Sequence, residues 1–141
     1  MIATALNVFV RPRRLGVVTS ADGMIKLFPG LVRIPDVAYV SRERLPGGRV
    51  PPDPIPHLVP DLAVEVLGKS NTPAEMARKR REYFEAGVRL VWLVDPVPRS
   101  VAVFTGAEQF TTVDADGSLD AGAILPGFTL ALRELFAELE P

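Results

Sequence analysis

Residues 61–95 constrain the fold more than any other part of the chain. DLAVEVL and LVWLVD are strand-length apolar runs, and a helix-sized segment lies between them. That segment opens with SNTPAEM: Asn71 or Thr72 is placed to cap the helix, Pro73 suits its first turn, and Glu75 carries negative charge near its N-terminus. The helix is expected to reach about Ala86 and to stop at Gly87. A strand, a helix and a strand of these sizes make a crossover unit, so the two strands should run parallel. The chain therefore reads as α/β.

The flanking segments add strands. GVVTS and MIKLF on either side of ADG read as a hairpin, and VRIPDVAYV as a third strand, at an edge or changing course at Pro35. Residues 1–9 read as the end of an apolar helix. LPGGRVPPDPIPHLVP is a proline-rich loop. SVAVFT and QFTTVD read as a meander, ADGSLD as a turn, and LALRELFAEL as an amphipathic closing helix. The expected architecture is a mixed sheet flanked by helices. At 141 residues the chain is the length of one domain.

Composition removes several function classes. Cysteine is absent, so there is no thiolate metal site and no disulfide framework, which fits a cytoplasmic location. The lone His57 cannot build a His-rich metal site or a Ser-His-Asp triad. No apolar run is long enough to span a membrane, and Arg11, Arg13 and Arg14 follow the uncharged start, the wrong order for a signal peptide. Charge is uneven. Residues 1–50 carry eight basic and three acidic side chains, a balance of +5, whereas residues 51–141 balance at −6. A basic segment suits nucleic-acid phosphates, although scattered surface charge gives the same count.

Glu65 is the anomaly. Alternation places Asp61, Ala63, Glu65 and Leu67 on one face of a buried strand, where a carboxylate is costly unless it is paired or binds a cation. It pairs with a buried Arg or Lys, or it is a metal ligand. Asp36 is a second acid in an apolar strand; two inward carboxylates on neighbouring strands would suit a hard cation such as Mg²⁺. On the helix, Met76, Lys79, Arg80, Tyr83 and Gly87 share one stripe, so Lys79 lies on or beside the side packed on the sheet. There it could orient an attacking water or a phosphate, or it could simply pair with Glu75. Lys69 is a rival for that role. Tyr83 and Trp92 read as core, Asp95 as a turn residue, and RKRR as a solvated face.

VRIPDVAYVS, PDLAVEVLGKSN, ARKRREYFEAGVRLVWLVDP and LPGFTLALRELF together resemble, in order from about residue 14, the Uma-type restriction endonuclease family of the PD-(D/E)XK nuclease superfamily. The resemblance implies a restriction endonuclease-like mixed β-sheet flanked by helices. It implies Asp36 and Glu65 as metal ligands, with the carbonyl of Val66 able to join the shell. Leu67 stands where the strict pattern has lysine, and Lys79 matches the place to which this family moves it. The implied cofactor is Mg²⁺, or Mn²⁺, and the implied reaction is metal-dependent hydrolysis of phosphodiester bonds in DNA. Relatives carry a hairpin and a longer helix ahead of residue 1, with a glutamate that completes the acidic cluster. The expectation is thus a single domain over residues 1–141 lacking that hairpin and most of the first helix.

The leading expectation is a homodimeric DNA endonuclease, since paired sites suit cutting two strands. The alternatives are a catalytically inactive nuclease-fold module that binds nucleic acid or protein, and a purely structural interaction domain.

Overall fold

The structure is a computed structural model that describes residues 1–20 and 23–139, with the backbone alone described at 139. Helix α1 (Ile2–Arg13) is followed by strands β1 (Gly16–Thr19), β2 (Ile25–Phe28), β3 (Leu31–Arg33), β4 (Val37–Ser41) and β5 (Leu62–Val66). Helix α2 (Pro73–Ala86) leads to β6 (Leu90–Asp95), β7 (Ser100–Gly106), β8 (Gln109–Val113), β9 (Ser118–Ala121), β10 (Leu125–Ala131) and helix α3 (Leu132–Leu139). Six strands form the central mixed sheet in the order β1-β4-β5-β6-β7-β8. Only its β5–β6 pair is parallel, with Glu65 opposite Leu93, and α2 is the crossover that the pattern requires. Thr72 caps α2 by accepting the Glu75 amide at 3.1 Å, and Gly87 ends it at φ 109°, a conformation that side-chain-bearing residues rarely adopt.

Each sheet face has its own core. On one face, Ile2, Leu6 and Val10 form an i, i+4, i+8 stripe on α1 and pack with Leu62, Val64, Trp92, Phe128 and Leu135. On the other, Met76 and Tyr83 of α2 pack on Ala63, Val91 and Leu93, with Ile25 and Leu27 alongside. Side-chain alternation along β5 thus sends Val64 to one core and Ala63, with Glu65, toward α2.

Four expectations need correction. The hairpin is not GVVTS with MIKLF: β1 pairs with β4, and β2 pairs with β3. Two of the three ADG residues, Ala21 and Asp22, lie outside the described residues. The tight connection is Phe28-Pro29-Gly30-Leu31, where proline presets its φ and Gly30 takes φ 85°. VRIPDVAYV is not one strand but two, because Pro35 has no amide to donate and Ile34–Asp36 leave the ladder. β4 is interior, between β1 and β5. The first helix reaches Arg13 rather than residue 9, with Pro12 in its last turn and Arg14 in the left-handed region at φ 54°. The C-terminal helix begins at Leu132, and the segment before it is β10, paired with β9, which takes the end of the expected ADGSLD turn. The proline-rich loop touches β2 through the Lys26 amide, which donates to Pro56 at 2.9 Å; one short 3-10 turn, Arg42–Arg44, precedes it and a second, Pro46–Gly48, lies near its start.

Candidate active site

The β4–β5 register pairs Val37 with Val64, and carried one residue further it sets Asp36 opposite Glu65. Opposite residues on an antiparallel pair project from the same face. Asp36 Oδ2 accepts the Val66 amide at 2.7 Å, a bond that fixes the residue between the Pro35 break and β4 to the end of β5. Val66 is therefore held through its amide.

Glu65 is 6% exposed. Its Oε1 accepts the Tyr83 hydroxyl at 2.7 Å, and both side chains are buried. Burial pushes the Glu65 carboxyl above the usual carboxylate range; the Tyr83 hydroxyl and Lys79 pull it back, Asp36 adds to the rise, and Arg33 opposes it. Among the described residues no ion pair to Glu65 forms. Its electrostatic partners are a hydroxyl in contact, a second acid, and two cations at longer range. Each acid has one oxygen tied by a 2.7 Å hydrogen bond, so Glu65 Oε2 and Asp36 Oδ1 are the oxygens left for a cation. Two carboxylate oxygens side by side are suited to a hard divalent ion. Among the described residues no group of three or more His, Asp or Glu converges to hold a metal.

Lys79 is half-buried on α2 and near enough to lower the Glu65 pKa, and it forms no ion pair with Glu75 among the described residues. Lys69 is exposed in the loop after β5 and has no resolved influence on Glu65. Lys79, not Lys69, is thus the lysine whose charge is felt at Glu65. Asp61 shares the Glu65 face but lies at the other end of β5, 3% exposed, where it accepts the Ser41 amide at 2.7 Å and pairs with Arg44 at 3.4 Å.

Three further residues take part. The apolar context of Tyr83 points to core packing alone; it is core, and it also holds Glu65. The helical stripe through Lys79 and Tyr83 was the signal, because one turn separates them. Arg33 and Glu82 form an ion pair that ties β3 to α2 beside the acids. They are 49 residues apart, and nothing local marks the contact. Arg80 also departs from the solvated-face reading: it lies 4.4 Å from the centre of the Phe104 ring and donates to the Ala107 carbonyl at 3.4 Å. Asp95 has the expected turn role, accepting the Val97 amide at 3.2 Å.

Residues 1–133 match the model of the Uma2 family, described as "Putative restriction endonuclease". The chain belongs to that family. A similar solved structure is described as a "putative nuclease belonging to DUF820" from Anabaena variabilis. The TM-score is 0.84 at 19% identity, and the match covers 99% of this chain and 78% of that one. At that identity the likeness shows the fold, a restriction endonuclease-like mixed sheet. No curated protein matches the chain. Uma2 membership supports nuclease chemistry for this fold. Among the described residues no helix is long and apolar enough to cross a membrane.

Proposed function

We propose that this Uma2 chain is a divalent-metal-dependent DNA endonuclease in which Asp36 and Glu65 hold Mg²⁺ or Mn²⁺ and Lys79 contacts the attacking water or the scissile phosphate. The observation that carries this reading is the pair of acids, each with one oxygen immobilised and one left over, at the adjoining ends of β4 and β5. A bound Mg²⁺ would supply charge neutralisation and a more acidic water. The residues do the rest. The Val66 amide and the Tyr83 hydroxyl fix the acids without occupying the oxygens needed for a ligand. Met76 and Tyr83 anchor α2 to the sheet and so set the height of Lys79 above it. Lys79 is half-buried, its charge is felt at Glu65, and it would stabilise charge that grows on a phosphate oxygen. The Val66 carbonyl is a further candidate oxygen donor.

The test is a calorimetric titration of Mg²⁺ and Mn²⁺ into the pure chain, repeated on the Asp36→Ala/Glu65→Ala variant, followed by cleavage assays on duplex DNA. Binding lost in the variant, with metal-dependent cleavage lost alongside, is the expected result. Cleavage that survives both substitutions would sink the assignment. We propose a homodimer in solution, which light scattering checks directly.

A second reading rests on a specific observation. Only two carboxylates converge among the described residues, a sparse set for tight metal binding. An inactive module of the same fold would bind DNA with steep salt dependence and never cut it.

A further inference from the structure

Antiparallel β4 and parallel β5 and β6 bring three points to one end of the sheet: Asp36 before β4, Glu65 and Val66 at the end of β5, and Asp95 at the end of β6. At that same end, on the α2 side, lies a cavity of about 640 Å³. Its floor is Leu67, Met76 and Leu93. Leu67, just past the end of β5, continues the Glu65 side about 7 Å further along the chain and packs on the α2-side core. Leu93 is the cross-strand partner of Glu65, about 5 Å away. The apolar floor thus begins where the candidate catalytic acids end.

The rim differs from the floor. Lys69 is exposed and forms no ion pair among the described residues. Arg80 is held in place by Phe104 and the Ala107 carbonyl. Asp95 is the one acid in the lining, and its carboxylate is used in its own turn, so the lining balances at +1. The Thr72 and Asn71 side-chain oxygens are likewise engaged, with the Glu75 and Gly68 amides. Val97, at 91% exposure, stands at the mouth as an apolar side chain with almost nothing packed on it.

We propose that this cavity receives the base of a nucleotide whose phosphate is held by Lys69. The inference rests on the nuclease reading for its setting in a DNA strand, and on the cavity alone for its ligand class. An apolar floor under a net-positive rim complements the flat apolar faces of a base carrying an anionic phosphate, and the volume falls within the range of small-ligand sites. A base paired inside a duplex cannot enter, so the nucleotide is one that is unstacked or in a single strand next to the scissile phosphate.

The test uses the full chain free of metal. Thymidine 5′-monophosphate and inorganic phosphate are titrated separately while the methyl resonances of Leu67, Met76, Leu93 and Val97 are followed by NMR. A second arm adds a single-stranded oligonucleotide carrying 2-aminopurine, whose fluorescence rises on unstacking. The expected result is a saturable shift of the floor methyls with the nucleotide and not with phosphate. Binding should weaken about tenfold in Lys69→Ala and in Val97→Glu, two exposed positions whose substitution leaves the core intact, and the 2-aminopurine should brighten on binding. A strand source is shown if the oligonucleotide binds much more tightly than the free mononucleotide. The proposal is overturned if nucleotide and phosphate shift the same resonances equally, if the floor methyls do not move, or if both variants bind as the parent does. Floor shifts without any metal-dependent cleavage would sink the nuclease reading and leave this one standing. Cleavage without floor shifts would do the reverse.

Discussion

The Tyr83 hydroxyl donates to Glu65 Oε1 across 2.7 Å, joining the last turn of α2 to a β5 carboxylate that, among the described residues, no cation neutralises by contact. The bond makes a buried acid tolerable without discharging it. It also selects which Glu65 oxygen faces a ligand. Stability and chemistry at this site therefore pull in opposite directions, and substitutions should separate them.

Glu65→Gln keeps an oxygen for Tyr83 and removes the charge. Burial raises the Glu65 pKa, so its contribution to stability is full below the unfolded value of 4.5 and is lost as pH rises through the folded value. Glutamine does not titrate. The metal-free variant should match the parent in acid and become more stable than it toward neutral pH. It should bind metal far more weakly. Thermal melts in chelator across a pH series check this; a gap that does not change with pH would contradict it.

Tyr83→Phe removes the donor and keeps the ring. Metal affinity is expected to fall roughly tenfold, the effect of losing a partner that orients a ligand. Stability should fall by about 1–2 kcal/mol, since a buried acceptor loses its hydrogen bond. Calorimetry with Mn²⁺ and urea unfolding measure the two separately. Unchanged affinity would show that Tyr83 serves packing alone.

Much of this was legible in the chain. Glu65 stood out because alternation put a carboxylate in an apolar run, and the crossover unit placed α2 over it. Thr72, Pro73 and Gly87 marked the helix ends through local chemistry alone. The hairpin failed because two competing turn signals lie close together: ADG and Pro29-Gly30 both suit a reversal, and only pairing with β4 decides which strands join. Arg33–Glu82 and Tyr83–Glu65 are tertiary contacts, and periodicity can place a residue on a face without naming what it meets there.

Arg44 gathers the opposite end of β5. It pairs with Asp61 and donates to the carbonyls of Pro60 and Gly87 at 3.2 and 2.9 Å, joining the β5 entry to the end of α2. Arg44→Ala leaves Asp61 buried with only the distant Arg89 at 4.0 Å as a cation. A loss of about 2–3 kcal/mol is expected, less than for a fully buried pair because Arg44 is partly exposed. Metal affinity of the folded fraction should not change. Urea unfolding alongside Mn²⁺ titration tests both halves of the statement.

Lys79→Ala should lower metal-dependent cleavage about 100-fold, the scale of one lost electrostatic donor at a reacting group. Metal affinity should hold or improve slightly, because a like charge near the ion is removed. Lys69→Ala should weaken DNA binding, and so raise KM, while turnover at saturating DNA stays near that of the parent. If the two lysines exchange these outcomes, the catalytic lysine is the loop residue and not the helical one.

The two tyrosines of the chain supply an alkaline signature. Tyr39 is pushed up to about 12, first by burial and then by the charges of Asp61 and Glu43, while its hydroxyl donates to the Leu15 carbonyl at 3.1 Å. Burial and the Glu65 charge raise Tyr83 as well. Both folded values lie above the unfolded value of 10.0, so the stability they contribute is complete below about pH 10 and is lost as pH rises further, through about 12 for Tyr39. Tyr39 alone accounts for on the order of 2 kcal/mol. Phenolate absorbance should therefore be silent near pH 10 and then appear for both residues together, in step with the loss of far-UV circular dichroism. A phenolate that titrates near pH 10 in a chain still folded would show that one of the two hydroxyls reaches water, and Tyr39→Phe and Tyr83→Phe would tell which.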